Sequence, residues 1–405
     1  MKKLTVQLRW SPTQVLAAGQ LAEEDRRIYF EYDPEFLARN LQLSPFKWPL
    51  RPGLIEHVDP SFGPLPGWID DSLPDGWGRL LMDRLFRKRG LDPATVSPLD
   101  RLSYLGTRTM GALTYHPPAE SEHNQELLDL HEIGKNAQEI YSCEAVEVLP
   151  QLMRAGGSPG GARPKALIGV KGKQIISGDD ELPEGFEPWI VKFCAKVDRH
   201  DAGPMELAYA AMAKVAGIDM PETRLFKAAK NIVYFGVRRF DRGLGNSRVH
   251  VHTFGNLIHA NFRIPSTDYA DLMKVTSALT RNYQDMLRVF RRMVFNIASH
   301  NRDDHAKNFA FVMNDTGEWL LSPAYDLGFA SGPGGEHTMT IMGEGRVPAR
   351  EHVLQLAKQF DIKTKEATTI IDEVNAAVQK WMCFADEAGC TKKTARAIGA
   401  QFRHL

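Results

Sequence analysis

The stretch His300-Asn301-Arg302-Asp303-Asp304-His305-Ala306-Lys307-Asn308-Phe309-Ala310-Phe311 lies between a long helical apolar pattern and a short apolar strand, Phe309–Met313. Eighteen residues past Asn308, after a second short strand, stands Ala324-Tyr325-Asp326-Leu327-Gly328. Phosphoryl transfer needs a carboxylate to orient and deprotonate the attacking hydroxyl, and oxygen ligands for the Mg²⁺ that bridges the phosphates. An Asp five residues ahead of an Asn, followed by an Asp on the next hairpin, supplies that set. Asp303 is then the base, with Asn308 and Asp326 as metal ligands, since Mg²⁺ takes few protein oxygens and otherwise keeps water and phosphate. Two other readings stand beside this one. The loop can be merely solvated, with Asp326 capping a turn, or His300, Asp303, Asp304 and His305 can form the metal cluster of a nuclease or phosphohydrolase.

Three upstream segments bear on the choice. Gly156-Gly157-Ser158-Pro159-Gly160-Gly161-Ala162-Arg163-Pro164-Lys165 runs into an apolar strand, Ala166–Val170. Glycines let backbone N–H groups approach an anion, and Arg163 and Lys165 add positive charge. The order is neither a Walker A loop nor G-x-G-x-x-G, and a strand follows it instead of a helix. Lys192 sits inside the apolar strand Trp189–Phe193, with Glu206 fourteen residues on in the next helix. A strand Lys held by a helix Glu is how kinases place a cation on the α- and β-phosphates. Alternatively, Glu206 simply complements a helix N-terminus. Finally, Val237-Arg238-Arg239-Phe240-Asp241-Arg242 ends a strand at the expected connection between lobes. Such a hinge offers backbone groups to adenine, an aromatic to its face and a carboxylate to ribose.

Around these segments the chain reads as a β-rich half followed by an α-rich half. Leu4–Leu8 and Arg27–Tyr32 alternate as half-buried strands, and Ile232–Val237 is a third good strand candidate. Leu80, Leu81, Arg84 and Leu85 fit a helix after Leu73-Pro74-Asp75-Gly76-Trp77-Gly78-Arg79, and residues 124–142 fit an acidic one. Met205–Ala216 is a helix stopped by Gly217. Tyr283–Ser299 places Met286, Val289, Phe290, Met293, Val294 and Ile297 on one face, and further helices are expected over 350–360, 364–385 and 391–403.

Taken in order, Gly-Gly-Ala-Arg-Pro-Lys, Val-Lys-Phe, Arg-Phe-Asp-Arg, Asn-Arg-Asp-Asp-His-Ala-Lys-Asn-Phe and Ala-Tyr-Asp-Leu resemble the HipA family of toxin kinases. Leu73–Arg79 and the run from Leu105-Gly106 to Met110-Gly111-Ala112-Leu113 resemble that family's small N-terminal domain. The resemblance implies an α+β, bilobal protein-kinase-like fold with an N-terminal β-rich subdomain over 1–115, an N-lobe-like region over 116–245 and a helical C-terminal lobe over 246–405. It implies a serine/threonine protein kinase using ATP and Mg²⁺, with Asp303 as catalytic aspartate, Asn308 and Asp326 on the metal, and Glu206 in support. The ATP-binding residues would be Ser158, Gly160, Gly161, Ala162, Arg163, Lys165, Lys192, Arg239, Phe240, Asp241, His305 and Lys307. Ser158 corresponds to the loop serine that the family autophosphorylates. A phosphate there adds about −1.5 to −2 charge and would silence the enzyme by competing with or ejecting the loop. The implied partners are a protein substrate, with aminoacyl-tRNA synthetases among the family's targets, and a helix-turn-helix antitoxin. DNA contact would be indirect, through that antitoxin. A kinase-like scaffold acting with the antitoxin as a transcriptional co-repressor is the non-catalytic alternative. The chain departs from the family pattern at Arg238, where many relatives carry an acidic residue. It departs again at Val249-His250-Val251-His252-Thr253-Phe254, where many show His-x-Glu-Asp.

Composition agrees with a globular protein. Over 405 residues, 43% are hydrophobic and 25% charged, enough for two or three cores. Fifty basic residues balance fifty acidic ones, so the whole surface is no polyanion-binding face. MKKLTVQLRW lacks the apolar run of a secretory signal, and no stretch of about 18 apolar residues would span a bilayer. The four cysteines, Cys143, Cys194, Cys383 and Cys390, form no C-x-x-C pair. A cytoplasmic protein without disulfides or membrane contact is expected.

Overall fold

Leu4, Val6 and Leu8 point inward from β1 (Lys2–Arg9) while their neighbours stay partly exposed. This alternation fixes one face of an antiparallel sheet against the core. β2 (Val15–Glu24), β3 (Arg27–Tyr32), β4 (Leu54–Glu56) and β5 (Leu113–His116) complete it in the order β4-β3-β2-β1-β5. The computed structural model describes residues 1–59, 61–119, 127–145, 147–156, 160–178, 181–194, 201–230 and 232–405.

A second antiparallel sheet holds β6 (Lys165–Lys171), β7 (Gln174–Ser177), β8 (Glu187–Lys192), β9 (Thr223–Ala229) and β10 (Ile232–Arg238), ordered β7-β6-β8-β10-β9. Its register sets Lys165 opposite Lys192, and Lys192 opposite Phe235, so both lysines stand at one end of the sheet. The helix Ala202–Val215 lies between β8 and β9 in sequence and packs on β9 and β10.

The C-terminal part is mostly helical but carries strands as well. β11 (His250–Thr253), β13 (Ala310–Met313) and β14 (Trp319–Leu321) form a sheet in the order β11-β13-β14. β12 (Thr267–Asp268) pairs in parallel with β15 (Met339–Thr340). The helix Tyr283–Ala298 is capped by the Asn282 side chain, which accepts from Gln284 N–H at 2.9 Å. It buries Val289, Phe290, Met293, Val294 and Ile297, as its apolar spacing predicts. The helix expected over 364–385 breaks into Thr364–Val378 and Trp381–Glu387. The acidic helix begins at Leu130, where Asp129 accepts from His131 N–H at 2.8 Å; residues 120–126 lie outside the described set. No helix among the described residues is long and apolar enough to cross a membrane.

The N-terminal sheet does not own a separate core. Leu4, Val6, Phe30 and Trp68 belong to one continuous apolar cluster with Met286, Phe290, Ile371 and Trp381 of the helical part. Trp77 and Leu81, from the helix Gly76–Lys88, instead enter the core of the second sheet beside Ile133, Ile168, Trp189 and Val191.

Two buried polar junctions reinforce this. Asp71 accepts from Thr253 N–H (2.8 Å), Thr253 Oγ1–H (2.7 Å) and Asn256 Nδ2–H (2.8 Å), and lies 2.6 Å from His252 Nδ1. His252 Nε2 is in turn 3.0 Å from Ser44 Oγ. The Ser44–His252–Asp71 connectivity is that of a hydrolase triad, but Ser44 and His252 are wholly buried, so no substrate reaches the hydroxyl. It fastens the N-terminal sheet region to β11.

At the second junction the Asp241 carboxylate takes Arg239 Nε–H (2.9 Å), an Arg239 terminal N–H (2.7 Å), Arg242 N–H (2.7 Å) and Gly111 N–H (2.8 Å). Arg242 reaches on to the carbonyls of Gly111 and Thr109. Burial alone would raise the Asp241 pKa, but the Arg239 and Arg242 charges outweigh it and hold the group well below the usual carboxylate range. Burial, with the charges of Arg239 and Arg248, pushes Arg242 down, and breaking a buried ion cluster leaves an uncompensated charge.

Asp241→Ala should therefore cost about 3–5 kcal/mol in urea unfolding at neutral pH. A carboxylate depressed in the folded state stabilises above its unfolded pKa of about 3.9 and loses that contribution as pH falls towards the folded value. The gap between wild type and variant should accordingly narrow below about pH 4.

Candidate active site

The loop after the helix Tyr283–Ala298 is held by a carboxylate that never reaches the cleft. Asp304, 1% exposed, accepts from Tyr269 O–H (2.8 Å) and Thr338 N–H (2.9 Å) and lies 2.9 Å from His337 Nδ1. Tyr269 O–H also receives Asn296 Nδ2–H at 2.9 Å, and Asn301 Nδ2–H donates to Asn296 Oδ1 at 3.0 Å. With these bonds made inside, the adjacent Asp303 is left outside: its side chain is 63% exposed. Asn308 closes the turn by donating its amide N–H to the Asp303 carbonyl at 2.6 Å, which uses the amide nitrogen and not the oxygen.

The second loop brings Asp326 to the same place. Asp326 has a left-handed backbone (φ 57°). It follows Tyr325, whose hydroxyl donates to the Lys307 carbonyl at 2.7 Å and whose ring stacks on Phe240 with centroids 5.7 Å apart. From the sheet, Lys192 Nζ donates to Glu206 Oε2 at 2.6 Å and to Asp326 Oδ1 at 2.5 Å. Lys165, across the strand pair, donates from Nζ to the Gly160 carbonyl at 2.6 Å.

The charges answer to one another. Burial alone would lower the Lys192 pKa, yet Asp326 and Glu206 together raise it above the ordinary lysine value. Lys192, followed by Lys165, holds Asp326 well below the carboxylate range despite burial. Glu206 is the weaker partner of the pair: burial lifts its carboxyl, and the Lys192 charge offsets that only in part. Burial pushes Lys165 down. Asp303 is raised, first by desolvation within the cleft and then by Asp326 and Asp304, against the opposing His305. Its exposed carboxyl is thus open to a reactant while facing other negative charge.

Of the residues singled out by sequence, Asp303, Asn308, Asp326, Lys192, Glu206, Lys165 and Phe240 converge on this cleft. His305 joins them, 3.9 Å from Asp303 and against the Phe262 ring. Gly160, Gly161, Ala162 and Arg163 run from the loop end into β6, whereas Ser158 lies outside the described residues. Three expected nucleotide contacts are placed differently. The Asp241 carboxylate, expected at ribose, is consumed in the junction to Gly111, because both its oxygens are already bonded and it is 1% exposed. Arg239 is buried in that same cluster. Lys307 Nζ sits 3.4 Å from Asp70 and over the Phe262 ring, engaged by the N-terminal region. The metal-cluster alternative fails on geometry: His300 stacks on Phe329, and Asp304 is spent on Tyr269, His337 and Thr338. Sequence reasoning missed Tyr269, His337 and Thr338, which lie far along the chain from the loop they hold and form no local motif.

Residues 157–382 match the HipA-like C-terminal domain, and residues 13–116 match the HipA N-terminal domain. The chain belongs to the HipA family. A HipA-family fold is also what the solved structures show. A chain from the Shewanella oneidensis MR-1 toxin–antitoxin complex of HipA, HipB and operator DNA superposes with a TM-score of 0.72, covering 98% of this chain and 94% of its own at 16% identity. A chain of the Helicobacter pylori proinflammatory kinase CtkA covers 52% of this chain and 92% of its own at 14% identity, with a TM-score of 0.34. A curated relative, "Putative kinase Y4dM" of Sinorhizobium fredii, is 26% identical over 280 residues, which span 63% of this chain and 62% of that protein.

The donor set suits a hard cation. Asn308 and Asp326 offer an amide oxygen and an ionised carboxylate, which is the small protein share that Mg²⁺ takes when phosphate and water complete its shell. Among the described residues no group of three or more His, Cys, Asp or Glu converges as a metal cage.

Replacing Lys192 with Met should raise the Asp326 pKa, since the ammonium charge that does most to hold it down disappears. Carboxyl-carbon NMR titration of the two proteins would read the shift directly.

Proposed function

We propose that this protein is an ATP- and Mg²⁺-dependent serine/threonine protein kinase acting as a HipA-type toxin. The observation that carries the reading is the single ammonium of Lys192 bonded to both Glu206 and Asp326, beside a loop that presents Asp303 and Asn308. In such an arrangement Lys192 and Lys165 receive the phosphates, and Phe240, stacked on Tyr325, lies where an adenine ring would pack. Two ammonium groups here face three carboxylates, so a triphosphate needs added positive charge to enter. Asn308 and Asp326 would hold a Mg²⁺ ion, which would supply that charge when bound.

Asp303 then orients the acceptor hydroxyl and takes its proton as the new oxygen–phosphorus bond forms and the bond between the γ-phosphorus and the ADP oxygen breaks, ADP leaving. Its raised pKa favours that role, because an ordinary carboxylate is a weak base at neutral pH. Most of the barrier falls through positioning and charge placement, since the reaction asks little covalent work of the protein. The acceptor is a protein hydroxyl, aminoacyl-tRNA synthetases being the first candidates to examine, and Ser158 is a candidate for self-modification. A HipB-like partner, with DNA reached through it, is carried over from the Shewanella complex as part of this proposal.

Labelled ATP and a cell lysate test the reading. The wild-type chain should transfer label, whereas Asp303→Asn should lose about 10²–10⁴-fold in rate while keeping thermal stabilisation by Mg-ATP. Phosphopeptide mass spectrometry of the same samples should find phosphoserine at Ser158 in the wild type alone. Equal transfer by both proteins would remove Asp303 as the base, and stabilisation without any transfer would favour the co-repressor scaffold.

A further inference from the structure

The helix Gly76–Lys88 opens with Asp75 at its N-cap position, yet that side chain caps none of the helix's own amides. An Asp at this position ordinarily accepts from the first-turn N–H groups. Here the carboxylate instead accepts from Gly161 N–H, 86 residues further along the chain in the glycine-rich loop. Trp77 adds two bonds to the same segment: its backbone N–H donates to the Gly161 carbonyl at 3.0 Å and its indole Nε1–H to the Lys165 carbonyl at 2.9 Å. Between them Gly76 adopts φ +37°, and a Cβ there would stand 2.6 Å from Ala162 Cα and 2.8 Å from the Gly161 oxygen. Only glycine lets the two backbones approach this closely.

The clasp is rigid on its own side. Trp77 is 1% exposed and packs in the core of the second sheet, so its bonds to the loop start from a fixed point. On the other side Lys165 ties back to the Gly160 carbonyl. Gly160 and Gly161 are the residues with most backbone freedom to lose when a ligand orders them. A loop held in place beforehand pays that entropy during folding instead of during binding.

We propose that Asp75 and Trp77 are positioning residues of the nucleotide site, reaching across from the N-terminal region to hold Gly160–Lys165 in the shape that receives phosphate. The nucleotide part of this inference rests on the kinase reading above; the clasp on the loop does not. Neither residue touches the reacting atoms. Their effect is on how ordered the loop is before nucleotide arrives.

Hydrogen–deuterium exchange on the full chain, combined with calorimetric titration of Mg-ATP, separates the two parts. Asp75→Ala should speed exchange in peptides covering 160–165 by roughly tenfold or more and weaken Mg-ATP by about tenfold, the scale of one lost charge-assisted hydrogen bond. Peptides from β8 and β10 should be unchanged, showing that the sheet stays folded. Asp75→Asn should restore most of both properties, because an amide oxygen accepts the same Gly161 N–H. Trp77→Phe, which keeps an aromatic ring but loses the indole N–H, should show the same change in exchange to a smaller degree. Unaltered loop exchange in Asp75→Ala would overturn the proposal. So would tighter Mg-ATP binding in both Asp75 variants, since the carboxylate would then be a competitor for the phosphate's place. If the wild type takes up no Mg-ATP, the kinase reading falls, and the exchange data still decide the clasp.

Discussion

Lys192 lies 2.6 Å from Glu206 and 2.5 Å from Asp326, and that one ammonium joins three elements at the cleft. It comes from a sheet strand, Glu206 from the helix that follows it, and Asp326 from the loop behind the C-terminal sheet. A lysine that is only 14% exposed must be paired, because desolvating it alone would force it to shed its proton. The pairing sets how those three elements present their charged groups to the cleft. Asp303 and Asn308 then stand beside it because Asp304, one residue along, is anchored inward by Tyr269, His337 and Thr338. The exposed acid is thus positioned by its buried neighbour.

The N-terminal sheet region is tied into this arrangement and is no appendage. It shares its apolar core with the C-terminal helices, and sends Trp77 into the core of the second sheet. It is also fastened through Asp71 to β11 and through Gly111 to Asp241. Each carboxylate junction is buried and multiply bonded, so removing either leaves several donors unsatisfied. Lys307, on the loop that carries Asp303, faces Asp70 of the same region. Movement of the N-terminal part would therefore be felt at the loop.

Much of this was legible in the sequence, and unevenly so. Periodicity located β1, β3 and the helix Tyr283–Ala298 because each buries one face and leaves the other to solvent. It missed β2, whose Ala17-Ala18-Gly19 centre has little β preference and is held by its neighbours β1 and β3. The Asp303, Asn308 and Asp326 spacing could be read because short loops set those residues close together along the chain. Lys192 with Glu206 was readable for the same reason. Asp241 was misplaced at the ribose because a carboxylate at a hinge looks available until its partner, Gly111 N–H, is seen to arrive from 130 residues away. Asp75 was not singled out at all, since its partner Gly161 is likewise remote, 86 residues along the chain. Long-range hydrogen bonds from single polar residues leave no periodic trace.

On the proposed function, Lys192, Asn308 and Asp326 form one site for a metal–nucleotide complex. Crystals grown with Mn²⁺ and a non-hydrolysable ATP analogue test it most directly, because manganese can be located by its anomalous scattering. The expected result is a manganese peak bonded to Asn308 and Asp326, with the analogue's phosphates against Lys192. Manganese and nucleotide bound elsewhere, with Lys192 still locked between its two carboxylates, would contradict it.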